Sequence, residues 1–376
     1  MKNVNIVLCS ILKPVNDVRM YGKLAQSISQ LQGYNIHLIG QNIFTKNLTT
    51  NFTYHPITLK NRHFFYKFLA YCIILFKTIK LKPKLFICTS HELLSIGVIS
   101  KFIFKTKLIY DVQENYSLNF YCYYKKSNYK ILWIKLLSYL IRKHEHFFAQ
   151  RYDHFFLAEK CYLTQLRFIQ SNCYTILENK ALVFQKEKKT PDSATIKILI
   201  FGTISEEYGI FDALHWVNAW HTFNPMVQLA IMGHVTRSKT FLKLKQLVAN
   251  SEWIFVNISP KPIPYSEIIK AISNTNIGLL CYKNLPMFEN KMPSKIFELA
   301  AMQKMIICSI NHTWSKFVVE KNIGICVDFS NFNEFDKIEL AYKKFWDFSV
   351  PISEFIWNSY ETEKIRYIAD KLLNQK

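Results

Sequence analysis

The sequence predicts an α/β protein of two domains, each built on a mostly parallel sheet. Three observations carry this. Short apolar runs alternate with longer amphipathic ones along the chain. The alternation stops at one polar segment and then restarts. The 376 residues, half of them hydrophobic, exceed one typical domain and suit two.

In the first half, strands are expected at Asn5–Leu8, Asn35–Ile39, Leu85–Cys88, Leu108–Tyr110, His154–Leu157 and Tyr174–Leu177. Helices fall between them, as at Val18–Leu31 and Ile131–Phe148. Gln185–Ser193 contains Pro191 and no large apolar residue, which marks it as the linker. Strands then recur at Ile198–Phe201, Gln228–Met232, Trp253–Val256, Ile277–Leu280, Met305–Cys308 and Ile323–Val327. The expected domains are 1–185 and 194–352, with 353–376 a final helix that returns to the first. Gly40, Gly202, Gly233 and Gly278 fall in or just after strands, at the ends where an open α/β sheet binds ligands.

Several function classes drop out. A chain with 15% aromatic residues is not disordered. Its nine cysteines include no CxxC pair, so they read as buried thiols of a reducing compartment rather than disulfides or a zinc site. Met1–Ser10 reads as a first strand and lacks the parts of a secretory signal. No GxGxxG follows the first strand, and GxxxxGK[ST], HExxH and EF-hand loops are absent from the sequence.

The formal charge is +21 and lopsided. Residues 1–180 hold 25 Lys/Arg and 8 Asp/Glu, a net of +17, and no acid lies between Asp17 and Glu92. Either this half meets an anionic surface, lipid or nucleic acid, or the chain reflects a Lys-rich composition. Two segments bear on the choice, Arg62–Lys84 and Lys125–Lys143. Both mix basic residues with aromatic and aliphatic ones. Both are too short in apolar content to span a bilayer, and each reads as an interfacial helix or as an ordinary core-facing one.

Asn290-Lys291-Met292-Pro293-Ser294-Lys295-Ile296-Phe297-Glu298 follows the strand Ile277–Leu280. Pro293 suits the first turn of a helix. Ser294 and Lys295 put backbone N–H groups and a cation at that helix start, a ready place for phosphate. One turn on, Glu298 can accept hydrogen bonds from two neighbouring hydroxyls, as on a ribose. The residues alone allow a nucleotide-diphosphate site or a capped helix with a surface Glu.

Nearly the whole chain resembles the GT-B glycosyltransferases, and within them the large retaining group numbered family 4. Asn290–Met302 resembles that family's donor-site helix, with Glu298 at the position of the ribose-binding Glu. Phe201–Ser205 with Tyr208-Gly209-Ile210 resembles the first loop of the donor domain. Asp17-Val18-Arg19-Met20 resembles the opening DxR helix start. Tyr110-Asp111-Val112-Gln113-Glu114 resembles a Tyr-Asp-x-His-Glu segment at the interdomain cleft, and Trp357–Glu361 resembles the helix that crosses back. There are departures. Asn290 stands where the family has the first Glu of Glu-x7-Glu, and Glu289 is one residue out of register. Thr203–Gly209 has no cation. Gln113 stands where many relatives have His, and His91 is the nearest alternative histidine.

The resemblance implies two Rossmann-like domains facing each other across a cleft. It implies transfer of a sugar from a nucleotide-diphosphate donor to a glycan or lipid-linked acceptor, with retained anomeric configuration. Donor binding then falls to Gly202, Thr203, Asn290, Lys291, Pro293, Ser294, Lys295 and Glu298. Lys295 stabilises the leaving diphosphate, His91 serves the cleft, and Glu114 and Asp111 orient hydroxyls or form a structural ion pair or cap. No Asp-x-Asp occurs, so no metal cofactor is expected. The expected location is cytoplasmic, peripheral on the inner face of an anionic membrane, with nucleic acid not expected as a partner. Other readings are a binding-only relative, an isomerase of the nucleotide-sugar and, more distantly, a nucleic-acid-binding protein.

Overall fold

Backbone contacts divide the chain into two units, Met1–Asn179 with Trp357–Lys376, and Lys180–Ile356. The computed structural model describes residues 4–42, 52–58, 64–124, 131–169, 173–182, 195–235, 237–345 and 350–374. The polar segment Gln185–Ser193 lies outside the described residues, as do Arg62 and residues 125–130.

The first unit is a seven-stranded sheet in the order β3-β2-β1-β4-β5-β6-β7, parallel throughout. Its strands are β1 Val4–Pro14, β2 Tyr34–Gln41, β3 Thr53–Ile57, β4 Leu85–Cys88, β5 Lys107–Val112, β6 His154–Leu157 and β7 Tyr174–Ile176. β3 is absent from the sequence expectation, and it carries Pro56, which disfavours an interior strand. It is tolerated here since β3 is an edge strand. Alternate residues of each strand face opposite layers. Val7, Cys9, Phe86 and Cys88 meet the helices Phe64–Leu81, Leu94–Phe104 and Ile131–Ala149. Ile6, Leu8, Leu85 and Ile87 meet Met20, Leu24 and Ile28 on the other face, together with Ile365, Ala369 and Leu372 of the final helix, Ser359–Asn374. Where a regular helix was expected over Val18–Leu31, the chain opens with a π-type turn, Met20–Ala25, and then Gln26–Ile28. The Asp17 carboxylate caps that turn, accepting from the N–H groups of Arg19 and Met20 at 3.1 and 2.9 Å.

A buried ion pair fixes the polar ends of this sheet. Arg19 and Asp111 are 4% and 0% exposed. The Arg19 Nε donates to both Asp111 oxygens at 2.9 Å and its Nη2 to Oδ1 at 2.6 Å. Its Nη1 donates to Leu177 O and Asn179 Oδ1, both at 2.8 Å. Gln113 donates to Asp111 Oδ2 at 2.6 Å, and Lys13 donates to Gln113 in turn.

The second unit has six strands: β8 Ile196–Thr203, β9 Val227–His234, β10 Ile254–Ser259, β11 Ile277–Leu280, β12 Met305–Ser309 and β13 Gly324–Val327. They form a parallel sheet in the order β10-β9-β8-β11-β12-β13. Its core is dominated by Trp216 and Trp220 of helix Ile210–Phe223, whose indole N–H groups donate to Asn331 O and Glu339 Oε1 at 3.1 Å. Strand order reverses between β1 and β4 in one unit and between β8 and β11 in the other. Neighbouring loops part there and leave room for a ligand at the strands' carboxyl ends.

Arg19→Ala leaves Asp111 buried without its cation. Urea unfolding of the first unit should register a loss of about 3–5 kcal/mol. Arg19→Lys should recover little of it, because an ammonium cannot reproduce the two-oxygen fork.

Candidate functional site

The richest site lies at the β8/β11 reversal of the second unit. The penultimate residue of β8 is Gly202, whose φ of +86° suits glycine. A Cβ there would sit 2.8 Å from the Lys295 Cε, so the missing side chain makes room for that lysine. Gly209, φ +70°, opens helix Ile210–Phe223, and a Cβ on it would fall 1.6 Å from the Cys281 carbonyl oxygen. The loop after β8 is thereby pressed against the loop after β11. Gly278 belongs to a different class from the one expected of it. It is the second residue of β11, and its lack of a side chain admits Leu299, whose Cδ1 would lie 2.1 Å from an added Cβ. Its role is to seat helix Ser294–Ala301 on the sheet.

That helix begins one residue later than expected. Pro293 is its N-cap, with ψ 130°, and Ser294 is the first helical residue. No side chain caps it and its first turn holds no acid, so its N-terminal dipole faces no local anion from the helix itself. The Lys295 ammonium sits among three rings, 5.6 Å from the centroid of Phe201, 5.2 Å from Tyr208 and 5.3 Å from Tyr282. The rings brace one another: Tyr208 and Tyr282 meet edge to face at 4.8 Å, and Phe288 lies 4.9 and 5.1 Å from them. Burial lowers Lys295 from the usual lysine range to about 8, with the Glu298 carboxylate opposing the fall. Burial and then Glu298 raise the phenols of Tyr265 and Tyr282. Glu298 thus shares one helix face with Lys295, three residues on.

The remaining donor-side candidates spread around this centre. Thr203 closes β8, while Asn290 is exposed and Lys291 partly buried in the loop before the helix. Glu207 is 1% exposed and bonded to Arg237 Nη1 at 2.7 Å. Burial works to raise its carboxyl, but hydrogen bonds from Ser205, its own backbone N–H and Arg237 hold it below the usual range. Sequence reasoning missed the ring cage, because Phe201, Tyr208 and Tyr282 come from separate segments.

The first unit gathers a second set of groups near the β1/β4 reversal. Asp111 is consumed by Arg19 and Gln113, the structural ion pair that the sequence left open. Glu114 is exposed and accepts from Asn119 Nδ2 at 2.9 Å. His91 follows β4, with its ring 4.4 Å from Tyr116 and 6.5 Å from His144, and its Nδ1 3.2 Å from Glu92 Oε2. Burial lowers its pKa despite Glu92, which leaves a neutral imidazole able to take a proton. Glu145, which sequence reasoning passed over, is 1% exposed and accepts from the Tyr110 hydroxyl at 2.6 Å. Burial raises it to about 7, with that hydrogen bond working against the rise. Its signal was a charge at a core position of an amphipathic helix. Among the described residues, no cluster of three His, Cys, Asp or Glu side chains is placed to hold a metal ion.

No family model matches the chain, and no curated protein does. Solved structures do. The sucrose-phosphate synthase of Thermosynechococcus elongatus superposes with a TM-score of 0.68 at 12% identity, covering 98% of this chain and 99% of that one. HepE of Anabaena, solved with UDP-glucose, gives 0.64 at 11%, covering 98% and 100%. A putative UDP-N-acetylglucosamine 2-epimerase from Listeria monocytogenes gives 0.59 at 10%, covering 100% and 98%. At such identities the likeness shows the fold alone, and that fold is the two-domain GT-B architecture.

The Lys295 ammonium should titrate near 8 by NMR of its side-chain Cε–Nζ group. Glu298→Gln removes the group that raises it and should push it lower. Since the folded pKa lies below the usual 10.5, Lys295 favours the folded state most above pH 10.5, and that contribution is lost as pH falls through about 8. Lys295→Met should abolish this step in the stability profile.

Proposed function

We propose that the chain is a retaining glycosyltransferase of the family 4 kind, moving a sugar from a nucleotide-diphosphate donor to a glycan or lipid-linked acceptor in polysaccharide synthesis. One observation carries the reading: a ring-held ammonium stands at an uncapped helix start, against the glycine next to the end of β8, with a carboxylate one turn further on. A diphosphate needs fixed positive charge and N–H donors, and a ribose needs a carboxylate across its two hydroxyls. Lys295 stands in for the cations that the Thr203–Gly209 loop lacks.

In this reading the second unit binds the donor. Charge grows on the diphosphate as the glycosidic bond breaks, and Lys295 with the N–H groups of Ser294 and Lys295 is preorganised to receive it. The departing phosphate oxygen can itself take the acceptor proton, so no protein base is required. No metal cofactor enters the scheme. His91, neutral and partly buried, and exposed Glu114 are the groups of the first unit best suited to acceptor hydroxyls. The acceptor side works from the cytoplasmic face of a membrane. A second reading, isomerisation of the nucleotide-sugar itself, is kept because an epimerase shares the fold at a similar TM-score.

A screen of nucleotide-sugars by thermal shift, followed by product analysis with lipid-linked acceptors, decides between them. Transfer with retained configuration supports the proposal. Conversion of the donor without acceptor supports the isomerase, and no stabilisation by any nucleoside diphosphate removes both. Glu298→Ala should weaken nucleoside diphosphate binding by about 2–4 kcal/mol, read by calorimetric titration. Affinity in the intact protein should fall as pH rises through about 8, where the Lys295 ammonium is lost. The step should vanish in Lys295→Met.

A further inference from the structure

Two helices of the first unit carry one apolar stripe more than their core requires. On Phe64–Leu81 the core takes Ala70, Ile74 and Thr78, spaced i, i+4, i+8. Phe65, Phe68, Leu69 and Phe76 form a second stripe on the opposite side, 63, 57, 48 and 70% exposed. On Ile131–Ala149 the buried residues are Ile134, Glu145 and Ala149. Leu132, Trp133, Leu136, Leu137 and Leu140 recur at i, i+1, i+4, i+5, i+8 on the other side, between 45 and 76% exposed. Helix Leu94–Phe104 touches both and ends near Phe102, which is 80% exposed. All three cover the same face of the sheet, so their outward stripes share one side. Singly scattered surface apolars are ordinary, but two spare apolar stripes on neighbouring helices, with an exposed Phe102 on the helix between them, are not.

The charge carried by these helices is almost all positive, although Lys67 meets Glu92, just before Leu94–Phe104, at 3.7 Å and Lys101 meets Asp153 at 2.7 Å. Phe64–Leu81 and Leu94–Phe104 contain no acid, and the single acid of Ile131–Ala149, Glu145, is buried against Tyr110. Lys67, Lys77, Lys80, Lys135, Arg142 and Lys143 supply cations among the rings. A second copy of the face would set these cations against each other. Among the described residues, no helix is long and apolar enough to cross a membrane. We propose that this three-helix face docks on an anionic lipid bilayer. The apolar stripes enter the acyl boundary, and the Lys and Arg side chains reach the headgroup phosphates. The proposal deepens the lipid-linked-acceptor reading and rests on it for its purpose, while its geometry stands apart.

The test is co-sedimentation of the full chain with phosphatidylglycerol/phosphatidylcholine vesicles and with pure phosphatidylcholine vesicles, at low and physiological salt. The expected result is binding to the anionic vesicles that weakens with salt. The double variant Trp133→Glu, Leu137→Glu should bind about tenfold more weakly or worse, whereas Leu242→Glu, at a 60%-exposed position of the second unit, should bind as wild type. Brominated lipid should quench wild-type fluorescence more than that of Trp133→Phe. Nucleoside diphosphate binding, measured on the same samples, should be unchanged, which separates failure of docking from failure of the catalytic reading. Equal binding to neutral and anionic vesicles, or unaltered binding of the double variant, overturns the proposal. So does a stable dimer by light scattering that the double variant splits, which would assign the face to a protein partner.

Discussion

One arginine holds the polar end of the first unit together. Arg19 follows the first strand, Asp111 sits on the fifth, and Leu177 and Asn179 lie at the end of the unit's first stretch of chain. A buried ion pair adds little net stability over a well-packed apolar pair, but it tolerates only one arrangement. That arrangement extends outward through Gln113 to Lys13, and Tyr162 donates to the Gln113 carbonyl at 2.9 Å. The loops after β1 and β5 are therefore fixed to each other before any ligand arrives. It also commits both Asp111 oxygens to partners within the unit.

The second unit solves a related problem with rings in place of an opposing charge. An ammonium needs something to stand against when it is partly out of water, and three aromatic faces supply it with weak, non-neutralising attraction. A carboxylate in direct contact would quench the charge, whereas Glu298 three residues on only tempers it. The lysine stays cationic enough to attract an anion and lean enough in solvation to gain from meeting one.

Much of the fold could be read from the chain, for a physical reason. β4, β6 and β11 are buried along their whole length, so they appear as mostly apolar runs whose limits were foreseen to the residue. β3 was hidden because an edge strand can carry Pro56 and mixed burial. The π-type turn at Met20–Ala25 was hidden because its residues also suit a regular helix, while the Arg19 side chain beside it is held by partners distant in sequence, Asp111 and Leu177. That Lys295 and Glu298 share one face of helix Ser294–Ala301 was legible from their spacing. The cage was not, since its rings become neighbours only once β8 and β11 pair. Glu145 and the spare apolar stripes were present in the helical periodicity, but only burial separates a core stripe from an unused one.

Gly278 gives the helix Ser294–Ala301 a fulcrum. Leu299 rests on the one position of β11 that has no side chain, and it adjoins Glu298 on a rigid segment only eight residues long. Lys295 lies one turn toward the free end. Any bulk added beneath Leu299 would act as a lever, tipping cation and carboxylate together rather than loosening either alone. The spacing between the two groups is thus protected by the helix, while their aim is set from below, by a glycine on the sheet.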